Sequence, residues 1–394
     1  MRILFLTFYY EPDLSAGSFR SAALVKALCD RMEPGDHIEV LTTEPNRYES
    51  FRSESSSEDE KRQAAVVRFA LSKHRSGFID QTFAFMTYAW QVLKHVRRRQ
   101  YDLVFATSSR LMTAFLGSVV SKWKRVPLYL DIRDIFVDTM KDILSAPMRS
   151  TFMPIFRAIE KSTLQRAEWV NLVSEGFKEY FERNYPNKRY RYVPNGIDEV
   201  FFEFDFRNTS RTNAKRILLY AGNIGEGQGL HCIVPGLAEK LKGTHDFWIV
   251  GDGGARTKLE TAVKELVNVR ILAPVDRAAL LSLYRQSDIL FLHLNAYAAF
   301  HKVLPSKLFE YAATGKPVFA GVAGHAAEFL SRVPNVAIFQ PCNVQAALAA
   351  LTSLRIEDVS RKDFTETYRR TRLMEELASD VLAAAKTNPQ EVAT

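Results

Sequence analysis

Little in this 394-residue chain suits an oxidising compartment or a bilayer. Only three cysteines occur, Cys29, Cys232 and Cys342, odd in number, far apart and without C-x-x-C spacing. That excludes a disulfide scaffold and a thiolate zinc centre, and implies a reduced, cytosolic setting. Apolar runs of the roughly 20 residues that span a membrane are missing too. The longest after the N-terminus, Leu111 to Val120, falls well short, so no segment is expected to cross a bilayer. The opening MRILFLTFYY is too short for a signal peptide and runs at once into Glu11, Pro12 and Asp13, so it reads as a first buried strand. No glycine-rich stretch is followed by G-K-[ST], which excludes a P-loop. Motifs of the nucleic-acid-binding classes are absent as well, and nucleic acid is not an expected partner.

What is present is an ordinary globular mixture, 47% hydrophobic and 25% charged, in a chain long enough for two cores. The formal charge of +8 favours phosphate-bearing partners, but by itself does not separate nucleic acid, anionic lipid and sugar nucleotide.

Apolar runs alternate with helix-length amphipathic segments from the start: ILFLTF, a helix from Ser18 to Met32, HIEVLTT, a helix from Thr82 to Arg99, then LVFATS, PLYLDIR and WVNLVS. This is the pattern of βαβ units with parallel sheets, hence an α/β fold. The first domain is set at 1–200, closing at YVPNGID, and the polar stretch Glu203 to Lys215 reads as a linker. The second is set at 214–363, with strands RILLYAG, DFWIVG, VRILA, DILFLHL, KPVFAG and VAIFQ. A final helix at about 364–386 is expected to pack back on the first domain. Two such domains predict a cleft between the carboxyl ends of their sheets. The charged, Ser-rich stretch 51–63 reads as a mobile loop.

Five constellations stand out. In HKVLPSKLFEYAATGKP, Pro305 and Ser306 open a short helix, with Lys307 in its first turn and Glu310 one turn on. The unpaired N–H groups of a helix start, with Lys307 or Lys302 as a point charge, suit a diphosphate, and Glu310 suits two ribose hydroxyls. A plain N-cap and a surface glutamate are the other reading of the same residues. In YAGNIGEGQGL, Gly222, Asn223, Gly225 and Gln228 lie on a strand-to-helix turn where backbone can approach a ligand, and Gly251 of VGDGG is a weaker second turn. In DIRD, Asp131, Arg133 and Asp134 end a strand, and either pair with one another or meet a polar substrate. Gly17, Ser18 and Arg20 open a helix that would face the same cleft, although Ser18 also fits a plain N-cap. Finally, Phe83, Phe85, Tyr88 and Trp90 precede Lys94, His95, Arg97, Arg98 and Arg99, and SKWKR adds Lys122, Lys124 and Arg125. Basic and aromatic residues together suit an anionic membrane surface, and a solvated helix end is the alternative.

Taken in order, YVPNGID, YAGNIG, GDGG and PSKLFEYAATGKP resemble the GT-B glycosyltransferases of family GT4 over nearly the whole chain. The likeness is greatest to the bacterial branch with the fucosamine and fucose transferases of O-antigen and exopolysaccharide synthesis. The resemblance implies two Rossmann-like domains, the C-terminal one holding a nucleotide-sugar donor, UDP-linked by expectation, and the N-terminal one a lipid-linked or saccharide acceptor. It also implies metal-independent transfer with retention and no cofactor, at the inner face of the cytoplasmic membrane. Four positions depart from the family pattern: Lys302 stands where many members have Glu, Asn223 and Gln228 where Arg and Lys are common, and Arg133 where many have His. Under this reading Lys307, Lys302 and backbone N–H groups bear the diphosphate charge that builds as the donor bond breaks. Asp131 or Asp134 orients or deprotonates the acceptor hydroxyl, with Arg133 as a further contact. A non-hydrolysing nucleotide-sugar epimerase and a non-catalytic nucleotide-sugar-binding protein are the alternatives.

Overall fold

The computed structural model describes all residues except 14, 46–62, 72–77, 109–110, 145, 208–214 and 388–394. The supposed mobile loop therefore lies, but for Gln63, outside the described residues, as does the middle of the supposed linker. The chain forms two compact units, one built from 1–195 and 370–387, the other from 196–369.

The first unit holds a seven-stranded, wholly parallel sheet: β1 (Arg2–Leu6), β2 (His37–Thr43), β3 (Ala64–Phe69), β4 (Leu103–Thr107), β5 (Leu128–Ile132), β6 (Trp169–Leu172) and β7 (Arg189–Arg191), in the order β3-β2-β1-β4-β5-β6-β7. Strands β1, β4 and β5 are buried on both faces except at Arg2, which explains why they are apolar but for Arg2, Thr107 and Asp131. Two strands escape the apolar-run reading: β3, whose AAVVRF is half-polar in its setting, and β7, whose RYR has no apolar run at all. The first helix, Ala16–Cys29, packs against the long C-terminal helix Arg370–Lys386. Tyr129 and Arg191 both bond the carboxylate of Asp380 on that helix. The tail is two helices, Lys362–Thr367 and Arg370–Lys386, where one had been expected from 364 to 386, and the turn between them is where the chain passes from the second unit to the first.

The second unit has six parallel strands, β8 (Arg216–Ala221), β9 (His245–Val250), β10 (Val269–Leu272), β11 (Ile289–His293), β12 (Val318–Gly321) and β13 (Val336–Phe339), in the order β10-β9-β8-β11-β12-β13. All six match apolar runs in the sequence. Glu203 to Arg207 is not a free linker, however. Phe201 and Phe206 stack and enter the core of this unit, and Phe204 packs beside them. Phe364 and Tyr368 close the same core by packing on Phe309 and Phe329.

Strand order reverses between β1 and β4 in the first unit, and between β8 and β11 in the second. At such a reversal the connections leave the sheet in opposite directions and open a crevice at the carboxyl ends of the strands, where ligands of this fold class bind.

Candidate functional site

In the second unit the crevice is bordered by the turn after β8 and the residues after β11. The glycine turn 222–229 is locked from within, because Gln228 Oε1 accepts from Asn223 Nδ2 at 2.8 Å and from the Gly225 N–H at 3.2 Å. His293, at the end of β11 and fully buried, bonds the Gln228 carbonyl through Nδ1 at 2.6 Å and the Cys342 N–H through Nε2 at 3.0 Å. Since the carbonyl only accepts and the amide only donates, the ring is neutral with its proton on Nδ1. Burial lowers its pKa to about 4 from the ordinary 6.5, while the bond to Gln228 opposes the shift. A neutral histidine held this way stabilises the fold fully above pH 6.5 and loses that contribution as pH falls toward 4, up to about 3 kcal/mol. Urea denaturation across that range is expected to show wild type losing its advantage over His293→Gln as pH falls. A constant difference would contradict it.

Two glycines owe their place to close backbone approach. A Cβ at Gly251 would lie 1.8 Å from the Gly222 carbonyl oxygen, and φ is +149° there. Gly251 thus lets the second turn pack directly on the first. A Cβ at Gly222, where φ is +142°, would lie 1.9 Å from Lys307 Nζ. The structure therefore lays the Lys307 ammonium directly on the glycine turn, joining two motifs that lie 85 positions apart in the chain. The aromatic ring of Tyr220 is 5.8 Å from the same ammonium.

The helix that carries Lys307 spans only Lys307–Ala313, and Ser306 makes no side-chain cap bond to it. So short a helix has a weak end dipole. The charge at this site therefore comes mainly from Lys307, with less from the helix start at Pro305 and Ser306 than the sequence suggested. Lys302 ends a 3-10 turn, Ala298–Lys302, and is half-buried. Glu310 is held by Arg277 Nη1 at 3.1 Å and by the Tyr284 hydroxyl at 3.3 Å, and Arg277 also grips Asp198. Arg277, Tyr284 and Asp198 escape sequence reading because an arginine in RAALLSLYRQ looks like any helix surface. A charged residue at a helix N-terminus, where a cation is unfavourable, was the available signal.

In the first unit the strand-end charges separate. Asp131 and Arg20, each 1% exposed, form a two-pronged ion pair at 2.9 Å on both oxygens. Arg20 also donates to the carbonyls of Val193 and Pro194, and Asn171 donates to Asp131 at 2.7 Å. Asp131 as an acceptor base and Arg20 as an acceptor contact are thereby corrected: both are fully committed in the core, where an unpaired charge is costly. Ser18 is also buried, and the cap of its helix is Ser15, which accepts from the Ser18 N–H. Gly17 is buried as well. A Cβ there would lie 2.9 Å from Arg133 Nη1, an atom with no partner among the described residues. Burial lowers the Arg133 pKa to about 10.

Asp134 Oδ1 is likewise without a partner among the described residues. Burial first, and then the nearby Glu160 carboxylate, raise its pKa to about 7 against the pull of Arg133. The cavity that Asp134 and Glu160 share is about 20 Å³, room for one water and not for a sugar. Asp134, half-buried as a residue but with Oδ1 shielded, thus borders a space too small for a sugar.

Of the basic residues, Arg97 and Arg98 are exposed, and Lys94 lies over Trp90. Lys124 is committed, donating to the carbonyls of Arg97 and Arg99, and Arg99 pairs with buried Glu39. Lys122 and Arg125 line a surface cavity of about 730 Å³ with Arg166 and Trp169. Among the described residues no helix is long and apolar enough to cross a membrane, and no group of three or more His, Cys, Asp or Glu is placed to hold a metal ion.

Two parallel-sheet units, with a lysine laid on a glycine turn at the reversal of the second sheet, define a GT-B glycosyltransferase. Residues 18–196 match the family described as glycosyl transferase 4-like domain, and 201–371 the glycosyl transferases group 1. The chain belongs to this GT4 family of GT-B glycosyltransferases. It is 23% identical to the "Putative colanic acid biosynthesis glycosyl transferase WcaI" of Escherichia coli (strain K12), over 97% of this chain and 100% of that one. In fold it is similar to sucrose-phosphate synthase from Thermosynechococcus elongatus, with TM-score 0.68 and 16% identity over 98% of this chain and 96% of that one. It is similar also to Anabaena Alr3699/HepE in complex with UDP and glucose, with TM-score 0.62 and 18% identity over 100% and 98%.

Proposed function

We propose that this glycosyltransferase moves a sugar, of the fucosamine or a related deoxy-amino type, from a UDP-linked donor to a lipid-linked or saccharide acceptor in bacterial surface polysaccharide synthesis. The observation that carries the donor half is the Lys307 ammonium lying on the Gly222 turn at the sheet reversal. A pyrophosphate there meets one fixed cation together with the backbone N–H groups of a glycine turn, and these stabilise the charge that develops on the leaving phosphate. Glu310, steadied by Arg277 and Tyr284, offers its remaining lone pairs to ribose hydroxyls. The nucleotide assignment draws support from the UDP bound by the Anabaena protein, and the pathway from the name of the Escherichia coli relative.

In this reading the lysine and the turn take the place of a metal, and the sugar keeps its anomeric configuration. Arg133, with one N–H group unpartnered beside Gly17, contacts the acceptor or its phosphate. Exposed Phe83, Met86, Trp90 and Trp123, beside Lys94, Arg97, Arg98 and Lys122, support docking on an anionic membrane face.

Incubation with UDP-, GDP- and dTDP-sugars tests the reading. Nucleotide release that depends on acceptor, and falls when Arg97 and Arg98 become serine with the acceptor embedded in anionic vesicles, is the expected result. An altered sugar without release would instead make the chain an epimerase, and tight nucleotide binding with neither outcome would leave a binding protein.

A further inference from the structure

Two of the three cysteines, 110 positions apart in sequence, lie on segments that pack together in the second unit. Cys232 lies in the first turn of the helix Leu230–Lys240 that follows the glycine turn, and Cys342 in the turn between β13 and the helix Val344–Ser353. Independent contacts bring these segments together. Gly236, one helical turn after Cys232 and so on the same face, packs on Val344, since a Cβ there would lie 2.8 Å from Val344 Cγ2. At the other end, Cys342 Sγ donates to Asn295 Oδ1 at 3.4 Å, and the Asn295 side chain is also the neighbour of Gly229, three residues before Cys232. The Cys232 thiol lies within interaction range of Cys342, and with burial helps to hold the Cys342 thiol above its ordinary pKa.

The two sulfurs differ in a way that suits sequential chemistry. Cys232 is exposed, so its sulfur is open to an oxidant in solution. Cys342 is half-buried and sits at φ +58°, a left-handed backbone that a residue other than glycine seldom adopts, held there by its N–H bond to His293.

We propose that Cys232 and Cys342 form a reversible disulfide that couples this glycosyltransferase to the thiol–disulfide balance of its surroundings, through a low-molecular-weight disulfide such as oxidised glutathione. The Cys232 thiolate attacks one sulfur of that disulfide, forming a mixed disulfide and releasing one glutathione thiolate. Cys342 then gives up its proton and attacks Cys232 Sγ, forming the protein disulfide and expelling the second glutathione. The two protein thiols lose two electrons and two protons, and the oxidant gains them as two glutathione thiols. Closure ties the first turn of the helix after the glycine turn to the turn after β13. It also withdraws the thiol proton from Asn295, whose amide holds the Glu226 carbonyl within the glycine turn at 2.9 Å. The chemistry stands whether or not that turn holds a nucleotide.

The test uses the full chain carrying Cys29→Ser, treated with oxidised glutathione. Proteolysis and mass spectrometry are expected to find one cross-linked peptide joining Cys232 and Cys342, reversed by dithiothreitol. Amide exchange at 230–233 should slow in the oxidised form, and with Cys342→Ser added, Cys232 should stay as the glutathione adduct. A stable glutathione adduct on Cys232 with Cys342 intact, a covalent dimer between chains, or a cross-link that leaves exchange at 230–233 unchanged would each overturn the proposal.

Discussion

Replacing Lys307 with alanine is expected to lower kcat for acceptor-dependent nucleotide release by about 10²–10³-fold, the scale of one lost donor to developing charge in a site of this kind. The effect should fall on kcat more than on KM, because the phosphate carries more charge as the sugar departs than in the bound donor. Gly222→Ala supplies an independent route to the same loss. Its methyl group would occupy the place of Lys307 Nζ, 1.9 Å away, and φ of +142° strains any side chain there. Lysine's end is flexible and can move, so the protein should still fold, but with the ammonium displaced from the turn. Steady-state kinetics on both variants, with circular dichroism to confirm folding, decide the matter. If Lys307→Ala and Gly222→Ala each retain kcat within about twofold, the lysine is not at the reacting phosphate.

The second large effect is on stability. Arg20→Met should cost about 3–5 kcal/mol, because it leaves the Asp131 carboxylate buried with Asn171 as its remaining side-chain donor and takes the Arg20 donor from the Pro194 carbonyl and from the Val193 carbonyl, which keeps Asn171. The double substitution Arg20→Met with Asp131→Leu should recover much of that loss, since no uncompensated charge remains. Urea midpoints for the single and double variants measure the coupling. A single variant as stable as wild type would show that the pair is dispensable in the core and would reopen an acceptor role for both residues.

These two predictions show where the sequence was informative and where it was not. PSKLFEY suggested phosphate chemistry and YAGNIG a backbone open to a ligand, and Lys307 on the Gly222 turn brings the two segments together. DIRD misled, because charges at a strand end look equally available in one dimension. Which of them finds a buried partner depends on Arg20, 111 positions earlier, entering the same space. The stretch from Glu203 misled for a related reason: its aromatics alternate with charges and lack helical period, yet Phe204 and Phe206 find a core supplied by other strands.

Local rules sufficed for the alternation of strands and helices, the parallel sheets and the glycine turns, since short-range sterics and apolar periodicity act along the chain. Pairings between distant side chains required the folded molecule: Lys307 on Gly222, Arg277 with Glu310, Arg20 with Asp131 and Cys232 beside Cys342. Those contacts depend on strand order and on how helices pack across the sheets, and neither is written in the spacing of any one segment.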